Sequence, residues 1–162
     1  MNYIIWLIIS MSNVLANAPT QKERDGILEF HTRLRETVSP TAGNMMMMNY
    51  SLEMENLAIK WVKRCRFEHP SSTTDSVYAG YGQNLALIGG YLPNLTQMAQ
   101  GWYNEISDYT YANNYCRGVC GHYTQMVWAR SVGLGCAMKQ CDHIKPDWPK
   151  PVFLMACQYA PA

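Results

Sequence analysis

Cys116, Cys120 and His122 form a tight group of metal-ligating residue types. Zinc would need both sulfurs as thiolates. The cysteine set as a whole points elsewhere. Cys65, Cys116, Cys120, Cys136, Cys141 and Cys157 all follow an apolar N-terminal stretch. An even count in an exported chain reads as three disulfides, because the oxidising compartment consumes the thiols. Six cysteines admit many pairings, and residue type alone chooses none of them. Nucleophilic catalysis has no local signature, since neither a GxSxG elbow nor an HExxH helix occurs. His143 sits in the polar, Pro-rich segment 142–151 and reads as a surface-loop residue.

The export reading comes from residues 1–16. Residues 3–11 (YIIWLIISM) are apolar and VLANA follows. A membrane-crossing helix needs about 20 apolar residues, so this stretch is too short to span. It has the form of a signal peptide cut after Ala16. Residues 17–162 are then the mature chain, secreted and without a membrane anchor. Asn49 (NYS) and Asn94 (NLT) are candidate glycosylation sites in such a protein. The 162 residues are 48% hydrophobic and 15% charged, which suits one domain with a real core. A net charge of +1 and the absence of any long Lys/Arg run give no footprint for nucleic acid.

Helical spacing places the chemistry-bearing residues between regular elements. Residues 20–38 predict a helix with Ile27, Leu28, His31, Leu34 and Val38 on one face. His31 is therefore a packing residue. Residues 51–65 predict a second helix, with Ser51 as its N-cap and Met54, Leu57, Ala58, Trp61 and Val62 inward. A third runs over 95–107, with Met98, Ala99, Trp102 and Ile106 inward. The Tyr-, Asn- and Gly-rich stretch 108–121 is expected to be irregular. A short helix carries His122 to Trp128. Residues 132–139 and 152–159 read as strands, the second apolar throughout and hence central. The run Met45–Met48 is read as gap-filling core. Helices first and strands late make an α+β layered domain.

Several stretches resemble the superfamily of cysteine-rich secretory, antigen 5 and pathogenesis-related proteins. GHYTQMVWARSVGLGC at 121–136 is similar to its main signature and FLMACQYAP at 153–161 to its second. GQNLA at 82–86, WYNEI at 102–106 and HTRLR at 31–35 are similar to its shorter elements. Venom-allergen-like secreted proteins are the nearest group. The resemblance implies a three-layer α-β-α sandwich with a small antiparallel sheet. It implies disulfides Cys65–Cys141, Cys116–Cys120 and Cys136–Cys157. It also implies a polar cavity at His69, Gln83, Glu105 and His122, where Gln83 replaces a family glutamate. Two imidazoles and one carboxylate could take zinc or another divalent cation, weakly, with no cofactor required. Glutamine there removes one of two carboxylates suited to acid–base work.

The expected function is accordingly binding without catalysis. The aromatic spacing of Tyr109, Tyr111 and Tyr115 resembles a sterol-binding loop of the family, with Trp102 and Tyr103 just upstream. Aromatic faces with polar tips suit a sterol. A groove for fatty-acid-like chains is expected near residues 45–48 and the 95–106 helix. Two alternatives stand beside this. One is a metal-dependent extracellular hydrolase using Glu105 and His122. The other is an immune-modulating module that binds a host or other extracellular protein. A monomer is expected in each case.

Overall fold

The computed structural model describes residues 18–71 and 73–162. The expected signal peptide and its cut after Ala16 lie outside them. Helix α1 (Gln21–Glu36) begins at a capping box, in which the Thr20 hydroxyl accepts from the Glu23 N–H and the Glu23 carboxylate accepts from the Thr20 N–H. Strand β1 (Asn49–Tyr50) leads into α2 (Leu52–Val62), whose N-cap is Ser51 as expected. Strand β2 (Gly82–Gly89) precedes α3 (Leu95–Tyr103). A hairpin of β3 (Tyr109–Thr110) and β4 (Tyr115–Cys116) follows. The chain ends with α4 (Gly121–Met126), β5 (Gly133–Gln140) and β6 (Val152–Ala160).

The main sheet has the order β1-β5-β6-β2. The three long strands are antiparallel, and β1 adds a short parallel edge to β5. Strand alternation divides β6 between two cores. Met155, Cys157 and Tyr159 face α1, α3 and α4, where they meet Ile27, Met98, Ala99, Trp102 and Met126. Leu154 and Ala156 face α2, where they meet Met54, Leu57, Ala58, Trp61 and Val62. Both faces of β6 are covered, which is why its sequence is apolar throughout. The result is the three-layer α-β-α sandwich. Three disulfides staple it, Cys65–Cys141, Cys116–Cys120 and Cys136–Cys157.

Two buried polar residues tie the layers. Glu55, 3% exposed, takes a bidentate pair from Arg24 of α1 and a hydrogen bond from the Tyr50 hydroxyl. Among the described residues Arg35 has no carboxylate partner. Its guanidinium donates to the carbonyls of Met46, Met126, Trp128 and Ala129, pinning the 45–48 segment to the turn after α4. His31 is fully buried, as its packing role requires. Its Nδ1–H donates to the Ile27 carbonyl at 2.8 Å, so Nε2 accepts from the Tyr159 hydroxyl at 2.9 Å.

That burial, with Arg35 nearby as a lesser cause, pushes the His31 imidazolium down from 6.5 to about 4. Between these values the unfolded chain binds a proton that the folded chain refuses. Stability is therefore fully present above pH 6.5 and falls as the pH drops toward 4. The loss should reach about 3 kcal/mol. Chemical denaturation at pH 7 and pH 4.5 measures it. The slope should flatten in His31→Gln, and an unchanged slope would exclude His31 as its source.

Three expectations need correction. The helix predicted over 95–107 stops at Tyr103, and Asn104–Asp108 tightens into a 3-10 helix. That is a frequent way to end a helix. The stretch 108–121 is not irregular. Asn114 turns it in the left-handed region at φ 51°, and Arg117 locks it by donating its guanidinium to Asp108. The methionine run is core only at Met48. Met46 and Met47 are 52% and 79% exposed, because the backbone here is fastened along the surface to Ala129.

Candidate functional site

His122 opens α4, and Glu105 lies in the 3-10 turn after α3. The His122 Nδ1–H donates to Glu105 Oε1 at 2.5 Å. The other carboxylate oxygen accepts the backbone N–H groups of His122 and Tyr123, each at 3.0 Å. Glu105 thus caps the first turn of α4 and orients the imidazole at once. Trp102 stacks on His122, with ring centroids 6.0 Å apart and 16° between planes. Asn84 of β2 completes the support by donating from one Nδ2 to the His122 carbonyl and the Tyr159 hydroxyl.

His69 and Gln83 form a second pair. The His69 Nδ1–H donates to Gln83 Oε1 at 2.9 Å. They share a cleft of about 300 Å³ with Pro70, Tyr78 and Tyr81. The structure therefore brings the four expected residues together two by two. Glu105 and His122 do not line the cleft of His69 and Gln83.

The donor set can be tested against a divalent cation. Both imidazoles hold the tautomer that leaves Nε2 free to ligate. The Glu105 carboxylate is spent on one imidazole and two amides. Gln83 Nε2 is buried without a partner among the described residues. With Oε1 accepting from His69, that orphan is a donor and faces a cation unfavourably. Among the described residues, no group of three or more His, Cys, Asp and Glu side chains is placed to hold a metal. The residues offer a cation two nitrogens and no free carboxylate, which fits weak binding alone.

The aromatic residues separate into two sets. Trp102 is 3% exposed, and its indole N–H donates to the Leu85 carbonyl. It belongs to the core, not to a lipid-facing surface, because it lies on the inward face of α3. Tyr103 is half-buried between Phe30 and Tyr123. Tyr109 packs on Tyr123 and donates its hydroxyl to Asn114. Tyr111 and Tyr115 stand out at 65% and 56% exposure. Ile106, expected to face inward, is instead exposed because it lies in the 3-10 turn beyond the end of α3, and Val119 is exposed as well. Cys116–Cys120 fastens the hairpin to the start of α4.

The methionine segment does line a groove, of about 240 Å³. Its other wall is the end of α1, with Thr32, Arg35 and Glu36, and Thr41 and Ala42 close it. The 95–106 helix contributes none of the lining, because α3 packs against α1 and β2 in the core. Sequence reasoning missed Tyr78, Tyr81 and Asn84. Asn84 carried a weak signal, as a polar residue at an inward position of GQNLA.

An α-β-α sandwich with these signatures, staples and paired histidines defines a class. Residues 28–159 match the family model CAP, described as the cysteine-rich secretory protein family. The chain belongs to that family. Cysteine-rich secretory protein LCCL domain-containing 1 of Homo sapiens is 39% identical over 158 residues, 89% of this chain and 31% of that protein. Glioma pathogenesis-related protein 1 of Mus musculus is 34% identical over 149 residues, covering 86% of this chain and 58% of that protein. The chain spans less than two thirds of the length of these curated relatives. Among solved structures, venom allergen-like protein 4 of Schistosoma mansoni matches with a TM-score of 0.70 at 25% identity, covering 88% of this chain and 90% of that one. NaASP2, solved with Zn2+, matches with a TM-score of 0.71 at 27% identity, covering 90% and 83%.

Proposed function

We propose that this is an exported CAP-domain protein that binds a small hydrophobic ligand, a sterol or a fatty acid, without turning it over. One observation carries the reading. Two tyrosine rings, Tyr111 and Tyr115, stay exposed on a hairpin that a disulfide and an Arg117–Asp108 pair hold rigid. Rigid aromatic faces lose little entropy on binding and cover flat apolar molecules well. The methionine groove supplies a separate seat for an acyl chain, since flexible thioethers adapt to irregular apolar shapes. Export is supported by the three staples and by the family. No metal is needed for this function.

Titration with a fluorescent sterol tests the hairpin. Tyr111→Ser with Tyr115→Ser should weaken binding by about 2 kcal/mol, roughly thirtyfold. Both side chains are exposed, so the melting temperature should hold. Equal sterol affinity in the double variant would remove the hairpin from the account. A hydrolytic reading has one observation in its favour, the carboxylate-oriented imidazole of His122. It lacks a nucleophile, since all six cysteines are bridged and no serine or threonine among the described residues bonds either imidazole of the site. Turnover of a peptide library that disappears in His122→Ala would establish it.

A further inference from the structure

The three long strands end together, at the end of β2 away from the His69–Gln83 pair. Gly89 of β2 lies opposite Val152 of β6, and Gln140 of β5 lies opposite Phe153. From Gln83 to this end, β2 covers roughly 20 Å. Two loops meet here, 90–94 and 141–151. The Gly90 N–H donates to the Pro151 carbonyl at 2.9 Å, and Gly90 turns the chain at φ 94°. The close approach of Gly89 to Trp148 and Pro149 shows how tightly the loops abut, since a Cβ on Gly89 would meet the Pro149 carbonyl oxygen at 2.8 Å.

This end exposes Tyr91, Leu92 and Trp148, at 49%, 69% and 40%. Single exposed apolar residues are ordinary, but three on abutting loops form a patch that water disfavours. Charge surrounds the patch. Lys145 lies over the Trp148 ring, 5.9 Å from its centroid, and Lys150 Nζ donates to the Lys145 carbonyl. Lys139 Nζ donates to the Lys63 carbonyl, and the Cys65–Cys141 bridge holds that strand end against the end of α2, which carries Lys60. Among the described residues, five arginines are matched with carboxylates, whereas none of these five lysines is. Two acids, Asp142 and Asp147, sit in the same loop. Asp142 is committed internally, accepting from the Val152 N–H and the Gln140 amide.

An apolar tip with aromatic residues, flanked by Lys145 and Lys150 and with Lys139 at the adjoining strand end, has a defined complement. Tyrosine and tryptophan favour the boundary between headgroups and acyl chains. Flexible ammonium groups reach headgroup phosphates without fixed geometry. Each such lysine adds attraction to an anionic leaflet. We propose that loops 90–94 and 141–151 dock this protein on an anionic phospholipid surface. Tyr91, Leu92 and Trp148 enter the interface, and Lys139, Lys145 and Lys150 hold the headgroups. This surface is separate from the hairpin, the methionine groove and the histidine pairs. Asn94 is the last residue of loop 90–94 and the N-cap of α3, so a glycan there would stand beside the tip.

Flotation of the whole secreted chain, with glycans removed, tests the proposal on two kinds of vesicle. One is pure phosphatidylcholine and the other adds phosphatidylserine. The protein should float with the acidic vesicles, and raised salt should release it as the charges are screened. Leu92→Asp and the pair Lys145→Glu with Lys150→Glu should each cut partitioning about tenfold or more. Unchanged melting temperatures would confirm that the variants fold. Failure to float with acidic vesicles overturns the proposal, as does equal flotation of the variants. Retention on a sulfated polysaccharide without vesicle binding also overturns it, and assigns the lysines to a polysaccharide.

Discussion

Gly135→Val is expected to abolish the yield of folded protein, and Gly135→Ala to leave a folded chain that melts well below the parent. Gly135 lies in β5 opposite Gln158 and directly beneath the first turn of α2. A Cβ there would overlap the Glu55 backbone nitrogen and lie 2.5 Å from the Met54 carbonyl carbon and 2.6 Å from the Ser51 carbonyl oxygen. All three are backbone atoms, so no rotamer change relieves the clash. The helix itself must lift from the sheet, and its core residues Met54, Ala58 and Trp61 lift with it. Overpacking of this kind costs about 3 kcal/mol, or more where nothing yields. For a domain of this size the alanine variant should melt roughly 6–12 °C lower. Gly101→Ala supplies the contrast. That glycine lies inside α3 with no atom within 4 Å of its Cβ position. There alanine should stabilise by about 0.5–1 kcal/mol through helix propensity. Thermal melts of the two alanine variants decide the matter, and similar shifts would contradict the packing of α2 on β5.

Removing Cys65–Cys141 with paired serines should cost about 4 kcal/mol, while removing Cys116–Cys120 should cost about 2 kcal/mol. The difference follows from the separations of 76 and 4 residues, which set how much freedom each bridge denies the unfolded chain. The two losses should also differ in kind. Cys65 follows the end of α2 and Cys141 follows the end of β5, so that bridge joins two layers. Cys116 and Cys120 bracket only the foot of the tyrosine hairpin. The first variant should therefore melt much earlier, and the second should bind sterol poorly while its melting temperature falls by only roughly 4–8 °C. Denaturant titration and sterol titration on the same samples measure both. A short-loop variant with full sterol affinity would detach the staple from the binding role assigned to it.

Helix α2 and strands β5 and β6 were legible because they obey local rules, whereas β2 was not read as a strand. Ser51 and the spacing of Met54, Leu57, Ala58 and Trp61 specified α2 without reference to the rest of the chain. The apolar run 152–159 announced a strand covered on both faces. The errors arose where tertiary geometry decides. Trp102 has the composition of a ligand-facing ring, yet the turn of α3 directs it to the Leu85 carbonyl. Met46 and Met47 have the composition of core, yet the carbonyls that bind Arg35 hold their backbone at the surface. The hairpin at 109–116 depends on one left-handed asparagine and one ion pair, and neither has a periodic signal. Glu105 was legible as a polar site residue. Its division between an imidazole and two helix amides was not, because those amides belong to a segment 17 and 18 residues away.

Mass spectrometry of an organic extract of the protein, purified from cells that secrete it, bears most directly on the ligand. The parent chain should carry out a sterol or a fatty acid in amounts comparable to the protein, and Tyr111→Ser with Tyr115→Ser should carry markedly less sterol. Parent protein that emerges free of lipid, and that takes up neither class when offered it, would contradict the account.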